Sequence, residues 1–191
     1  MVVIAVMLVR AGEQQELLIA ALHHQATVDS LTGLVNRRVL DDALTTALSG
    51  GSGDQGTSLV LVDVDSFKQI NDQHGHPVGD DVLVHVASVL RSVVRAGDAV
   101  LSRMGGDELA VLLPACTTEV AARRAAEVLD AVRATPLVLA DGTALDVSVS
   151  LGVAHAPGHA DGLEALYAAA DAALYVAKRT GRGRVAVSGA A

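Results

Sequence analysis

Hydrophobic and polar positions along the chain follow two different periods. Leu59-Val60-Leu61-Val62 is an unbroken apolar run that turns acidic at Asp63-Val64-Asp65, the pattern of a strand buried on both faces. Ala99-Val100-Leu101 and Leu109-Ala110-Val111-Leu112-Leu113 flank Gly105-Gly106 and predict a β-hairpin. Further strands are expected over Pro136 to Leu139 and Ala144 to Ala154, joined by an Asp141-Gly142 turn, with Arg182 to Val187 as a short last strand. Helical spacing marks Glu13 to Ala26 (Leu17, Leu18, Ala21 and Leu22 on one stripe), Val82 to Arg95, Thr117 to Ala134 and Leu163 to Arg179. Another helix runs from Arg37 to Leu48, with Gly33 in the turn before it and Asn36 as its N-cap. Ser49 to Ser58 is polar and glycine-rich; it lacks the Gly-Lys-Ser/Thr ending of a P-loop and reads as a surface loop. Strands alternating with helices around a hairpin predict an α+β domain with helices over a central sheet.

Composition narrows the function classes. At 191 residues, 51% of them apolar, the chain can close one full core with a modest extension, and disorder is excluded. One Phe, two Tyr and no Trp leave almost no stacking platform for single-stranded nucleic acid, and a net charge of -8 opposes a phosphate backbone. No nucleic-acid partner is expected. Cys116 is the single cysteine, so no intrachain disulfide forms, and a buried, inert thiol is expected there. Met1 to Val9 is continuously apolar but far short of the roughly 20 residues that span a bilayer. It reads as the end of a membrane helix or as an apolar helical tail.

The chemistry gathers at strand ends. Asp63 and Asp65 are two apart on a strand and share a side, where carboxylates at the end of an apolar run need a cation or hydrogen bonds. Such oxygen ligands suit Mg²⁺ or Mn²⁺ completed by substrate phosphates, although one Asp could instead cap the following helix. Phe67 lies beside the pair, and Lys68 can reach a phosphate as a point charge. Asn71 and Asp80 offer an amide and an acceptor pair matched to the edge of a base. His74 and His76 have zinc-like spacing without a second ligand cluster, and His85 reads as a structural residue of its helix. Asp107 and Glu108 stand at the hairpin tip, where Gly105 and Gly106 let a bulky charged ligand approach the backbone. Lys178 and Arg182 leave the last helix either as partners of its dipole or as a phosphate clamp facing the acidic strand end.

From Asp29 to Val187 these motifs together resemble the diguanylate cyclase (GGDEF) domain. The entrance Asp29 to Arg38, the run from Asp63 to Asp72, Gly75-His76 with Gly79-Asp80, the hairpin, Val149 to Ala154 and Ala170 to Lys178 stand in family order. The resemblance implies a mostly antiparallel central sheet flanked by helices, with the ferredoxin-like core of nucleotidyl cyclases and polymerase palms. It implies the condensation of two GTP into cyclic di-GMP with release of pyrophosphate, across a homodimer, with Mg²⁺ or Mn²⁺, two per active site. By position, Asp63, the Val64 carbonyl and Asp107 would hold the metals, Asp107 would help deprotonate the 3'-hydroxyl, and Glu108 would support the site. Lys68, Lys178 and Arg182 would stabilise phosphate charge, Asn71 and Asp80 would read guanine, and His76 would lie at the nucleotide pocket. A cytoplasmic domain of a bacterial signalling protein follows, with membrane attachment through or upstream of residues 1–9 as an expectation.

Two positions depart from the family pattern. Leu109 stands where the family has Phe, and as the residue after the two carboxylates on a strand it is expected in the core. Arg95-Ala96-Gly97-Asp98 resembles the inhibitory site for cyclic di-GMP, Arg95 and Asp98 being its named residues. Six residues separate Asp98 from Gly105 where the family has five, so that site requires a bulge between them. The domain layout expected is 1–28 as stub and linker helix, 29–188 as the cyclase domain and 189–191 as tail. The alternative is a degenerate module that binds GTP or cyclic di-GMP and signals without turnover.

Overall fold

The computed structural model describes residues 27–50, 55–94 and 97–189. The expectations for Met1 to Val9, for the Glu13 to Ala26 helix and for Arg95 fall outside the described residues. The strands are β1 (Val35–Asn36), β2 (Thr57–Val64), β3 (Val100–Gly105), β4 (Glu108–Pro114), β5 (Leu137–Val138), β6 (Ala144–Leu145), β7 (Val149–Ala156) and β8 (Val185–Val187). The helices are α1 (Arg37–Ser49), α2 (Phe67–His74), α3 (His76–Val93), α4 (Thr118–Ala134) and α5 (Leu163–Arg179).

Six strands form the central sheet in the order β1-β3-β4-β2-β7-β8, and β5 pairs only with β6. The inner pairs β3–β4, β4–β2 and β2–β7 are antiparallel, while the outer pairs β1–β3 and β7–β8 are parallel. Its inner four strands, β3-β4-β2-β7, have the order and βαββαβ connectivity of a ferredoxin-like unit. β2 lies between β4 and β7 and is covered on both faces, which is why its sequence reads as a continuous apolar run.

Side-chain alternation divides the core in two. Val60, Val62 and Val64 of β2, with Leu109, Val111 and Leu113 of β4 and Leu151 and Val153 of β7, pack with Val82, Val86 and Leu90 of α3 and Val128 and Val132 of α4. On the other face Leu59, Ala110, Leu112 and Ala154 meet Leu40 and Leu44 of α1 and Leu166 and Ala170 of α5. Each of the fully buried Val and Leu side chains contributes about 1.5–3 kcal/mol through loss of its water contact. Gly152 lets β7 and α5 touch: a Cβ there would lie 2.3 Å from both the Ala170 carbonyl oxygen and the Leu174 nitrogen. α1 is capped as its sequence predicts, the Asn36 side chain accepting from the Val39 N–H, and Thr117 caps α4 in the same way toward Val120.

Four local expectations are corrected. The last strand begins at Val185 rather than Arg182, because Arg182 and Gly183 take left-handed backbone angles. Thr57 and Ser58 belong to β2 rather than to the glycine-rich loop. The helix expected from Val82 to Arg95 begins at His76, because Pro77 fits the first turn without needing its missing N–H, and it ends at Val93. The strand expected from Ala144 to Ala154 breaks between Leu145 and Val149, where Ser148 turns its carbonyl and hydroxyl to Asp65. Among the described residues no helix is long and apolar enough to cross a membrane.

Candidate active site

β2 carries Asp63 on the α1/α5 face, directly opposite Glu108 of β4 and Ser150 of β7. The carboxylate is nearly closed off from water, with 8% of its side chain exposed, and the Lys178 Nζ of α5 donates to its Oδ2 at 2.6 Å. Burial pushes the Asp63 carboxyl above the usual carboxylate range, with the charges of Asp107 and Glu108 acting in the same direction and the Lys178 ammonium opposing them. Asp107 occupies the hairpin tip, and its carbonyl accepts from the Val64 N–H at 3.4 Å, which fixes the tip against the end of β2.

The hairpin turns at Gly106-Asp107, with Gly105 paired to Glu108. Gly105 and Gly106 have φ of +144° and +53°, and a Cβ at either would meet nothing within 4 Å. Backbone angle rather than crowding therefore demands glycine here, and the space over the tip is open. Arg103 braces the turn by donating to the Gly106 carbonyl at 2.9 and 3.1 Å, while Asp29 at the domain entrance accepts from its Nη1 at 3.2 and 3.3 Å. Arg103 pairs with Leu109 and Gly105 with Glu108, so Met104 is an extra residue in β3, a bulge between Asp98 and the hairpin.

Asp65 plays a different part from Asp63. Its two oxygens accept from the Ser148 hydroxyl at 2.6 Å, the Ser150 hydroxyl at 2.6 Å and the Gly183 N–H at 2.9 Å. That carboxylate is saturated by protein donors and ties the end of β2 to β7 and to the loop after α5. Ser66 follows in the left-handed conformation (φ +58°) and aims the first turn of α2 back across the strand end. Lys68 leaves that turn exposed to solvent, next to N–H groups that have no partner within the helix.

α2 and α3 meet at Gly75. Asn71 is half-buried on α2, and a Cβ on Gly79 would lie 2.0 Å from its Oδ1. Among the described residues, Asn71 Oδ1 is a buried polar atom without a hydrogen-bond partner. Asp80 and His76 are exposed at the start of α3. After α5 the chain reverses through Arg182, itself left-handed (φ +59°), whose N–H donates to the Ala177 carbonyl at 3.0 Å. Leu109 is fully buried on the α3/α4 face, turned away from the carboxylates. Asp98 is exposed before β3.

The donors at the strand end are all oxygens: the Asp63 and Asp107 carboxylates and the adjoining main chain. Among the described residues no group of three or more His, Cys, Asp or Glu side chains is arranged to hold an ion alone. One or two carboxylates finished by ligand oxygens is the shell that Mg²⁺ usually takes, and the residues present fit such an ion. Two clefts abut Glu108 on the α1/α5 side. One of about 390 Å³ is lined by Arg37, Leu61, Met104, Tyr167 and Asp171, and another of about 270 Å³ by Asp171, Ala172, Tyr175 and Lys178. Asn71 and Asp80 line neither. Two features escape the sequence: the saturation of Asp65 by Ser148, Ser150 and Gly183, and the Asp29–Arg103 brace. Only the placement of Asp29 and Arg103 within matched motifs hinted at the second.

The family model described as "Diguanylate cyclase, GGDEF domain" matches residues 26–184. Diguanylate cyclase TpbB of Pseudomonas aeruginosa is 44% identical over 165 residues, covering 86% of this chain and 38% of the relative. Diguanylate cyclase DosC of Escherichia coli is 38% identical over 173 residues, covering 90% of this chain and 37% of the relative. Among solved structures, the GGDEF domain of DgcB from Caulobacter crescentus in complex with c-di-GMP superposes with a TM-score of 0.80 at 35% identity, covering 87% of this chain and 95% of that one. The chain thus spans less than half the length of these curated relatives.

Proposed function

The chain belongs to the diguanylate cyclase GGDEF-domain family, and from that membership we propose that it condenses two GTP into cyclic di-GMP and two pyrophosphates. The observation that carries the reading is the acidic end of the central strand. There a buried Asp63 faces Glu108 and the Asp107 tip, and a lysine ammonium lies 2.6 Å from its carboxylate. An active pair of such sites is a homodimer, because each domain holds one GTP and each 3'-hydroxyl must reach the α-phosphorus of the other nucleotide.

Asp63, the Val64 carbonyl and Asp107 would hold the divalent cations, Mg²⁺ or Mn²⁺, two per active site. When bound, these supply Lewis-acid polarisation of the reacting oxygens. In each half-reaction the 3'-oxygen forms a bond to the α-phosphorus, the bond from that phosphorus to the bridging oxygen breaks, and pyrophosphate leaves. Asp107 receives the hydroxyl proton and passes it to water. Glu108, paired opposite Asp63, keeps the hairpin carboxylates in register. Lys68, Lys178 and Arg182 balance charge on the phosphates, and the open hairpin glycines Gly105 and Gly106 admit them. Guanine lies between α2 and α3, where the Asn71 amide and the Asp80 carboxylate read its edge and His76 borders the base.

Product feedback through Arg95 and Asp98 is part of the same reading, with the Met104 bulge absorbing the additional residue before the hairpin. The domain is read as residues 29–188, preceded by a linker helix and working in the cytoplasm, with membrane attachment through or before residues 1–9. Incubating the purified chain with GTP and Mg²⁺ or Mn²⁺ at several protein concentrations tests the activity. Cyclic di-GMP identified by mass, with a rate rising more steeply than enzyme concentration, is the expected result. Bound GTP without product, even when a coiled coil is fused to force dimers, would replace the cyclase with a binding module.

A further inference from the structure

Among the described residues, Asp63 has one positive neighbour. Among the described residues, Lys178 is the cation within ion-pair distance of its carboxylate, while Asp107 and Glu108 add negative charge on the same side. The contact is short, at 2.6 Å, and it takes Oδ2 of the residue that the cyclase reading assigns to the divalent cation. An ammonium and a divalent cation compete for that oxygen, since each needs to face its lone pairs closely.

Lys178 is also free to leave. Its side chain is 36% exposed at the end of α5, on a flexible four-carbon stem. The 270 Å³ cleft lined by Glu108, Asp171, Ala172 and Tyr175 opens beside it and gives the ammonium room to swing. Arg179, the adjacent cation, donates to the Tyr175 hydroxyl at 3.3 Å and lies over that ring, and so does not substitute at Asp63.

We propose that Lys178 is an exchangeable counter-ion of Asp63, displaced when the divalent cation binds and drawn off by the nucleotide phosphates, so that cation and nucleotide each tighten the other's binding. The proposal rests on the cyclase reading for the identity of the nucleotide. Its consequence reaches beyond that reading: without nucleotide the cation must expel an ammonium from Asp63 and binds weakly. With nucleotide, the phosphates accept the ammonium and the carboxylate oxygen is released. Linkage makes the coupling reciprocal. The lysine thus keeps the buried carboxylate paired until substrate arrives.

The test is Mn²⁺ binding by the full chain, read from the electron paramagnetic resonance of free Mn²⁺, for the wild type, Lys178→Met and Lys178→Arg. Each is measured alone and with the α,β-methylene analogue of GTP, which cannot release pyrophosphate. Lys178→Met keeps the stem and removes the charge. In the absence of nucleotide it is expected to bind Mn²⁺ about tenfold more tightly than the wild type, within the range usual for coupled sites. The tightening of Mn²⁺ by the analogue should be large in the wild type, smaller in Lys178→Met, where only direct ligation of the ion by the phosphates remains, and restored in Lys178→Arg. Equal Mn²⁺ affinity of wild type and Lys178→Met without nucleotide, both folded by circular dichroism, would overturn the proposal. Unfolding of Lys178→Met moves the decision to Lys178→Arg: undiminished coupling there supports the exchange, and a wild type showing no coupling at all refutes it. Failure of the cyclase reading is seen separately, as absence of product from GTP, and leaves the nucleotide-free comparison standing.

Discussion

Asp63 and Asp65 are two residues apart, carry the same side chain and are nearly equally buried, yet the structure predicts opposite consequences for their amides. Asp65 accepts three hydrogen bonds, at 2.6, 2.6 and 2.9 Å, from Ser148, Ser150 and the Gly183 main chain. Hydrogen bonds to an ionised group are worth about 1.5–3 kcal/mol each. In Asp65→Asn the hydroxyls can rotate, but the amide presents N–H groups to donors, and either the Gly183 N–H or one serine loses its acceptor. A net loss of about 3 kcal/mol follows, or roughly 6–12 °C in melting midpoint for a chain of this size. Asp63→Asn is different. Burial and its acidic neighbours already disfavour the ionised form, and the partly exposed Lys178 can return to water. Its stability should stay within about 1 kcal/mol of the wild type, because a pair with one exposed member contributes little. Urea unfolding followed by circular dichroism gives the stabilities, and Mn²⁺ titration with the α,β-methylene GTP analogue gives the site. Asp65→Asn should be unstable yet bind Mn²⁺ close to normally below its melting range, and Asp63→Asn should be stable and lose Mn²⁺. The reverse pairing, a stable Asp65→Asn that cannot bind Mn²⁺, would refute the assignment of the two carboxylates.

Two further outcomes follow from the packing away from the site. The Nδ1 of buried His155 lies 2.9 Å from the Ser58 hydroxyl, and burial together with the nearby His159 holds its imidazole below the usual histidine range, against a smaller pull from Glu119. The unfolded chain therefore binds this proton more readily, so the stabilisation is fully present above about pH 6.5 and is lost as pH falls through the lower folded value. Melting midpoints should fall between pH 7 and 5.5 in the wild type and less steeply in His155→Asn; equal slopes would show that another group controls this range. Gly152→Ala would push a Cβ to 2.3 Å from main-chain atoms of α5, so the helix carrying Lys178 must lift from β7. A loss of more than about 3 kcal/mol is expected in urea unfolding, together with loss of turnover, and an unchanged midpoint would contradict the contact.

What the sequence could tell depended on how far away the deciding partner lies. α5 has the bounds that its apolar period predicts, Leu163–Arg179, because Leu166, Ala170, Ala173, Leu174 and Ala177 alone define its buried face. Asn36 caps α1 because the N–H that it satisfies is three residues on. The burial of Leu109 follows from strand alternation next to the hairpin. The strand break at 146–148 has no such local signal, since apolar and polar residues go on alternating through Asp146-Val147-Ser148. It is imposed by Asp65, which is more than eighty residues away in sequence from both serines that hold it.

The same distance explains why Asp63 and Asp65 look alike in the sequence. Both continue β2, and both are costly to bury alone. What separates them is what the fold delivers to each oxygen. Two hydroxyls and a main-chain N–H reach Asp65, from Ser148 just before β7, Ser150 within β7 and Gly183 in the turn after α5. Among the described residues, one ammonium, on a flexible stem at the end of that helix, reaches Asp63. The donors of the first set are fixed by β7 and by the left-handed turn at Gly183, so they cannot be exchanged for an ion without undoing the loop. The donor of the second ends a flexible stem beside an open cleft, so it can. Two carboxylates with one sequence signature thus become a structural bracket and, on the proposed cyclase reading, a cation ligand, and the difference lies in whether the donors that meet them are held on or close to the backbone or end a flexible side chain.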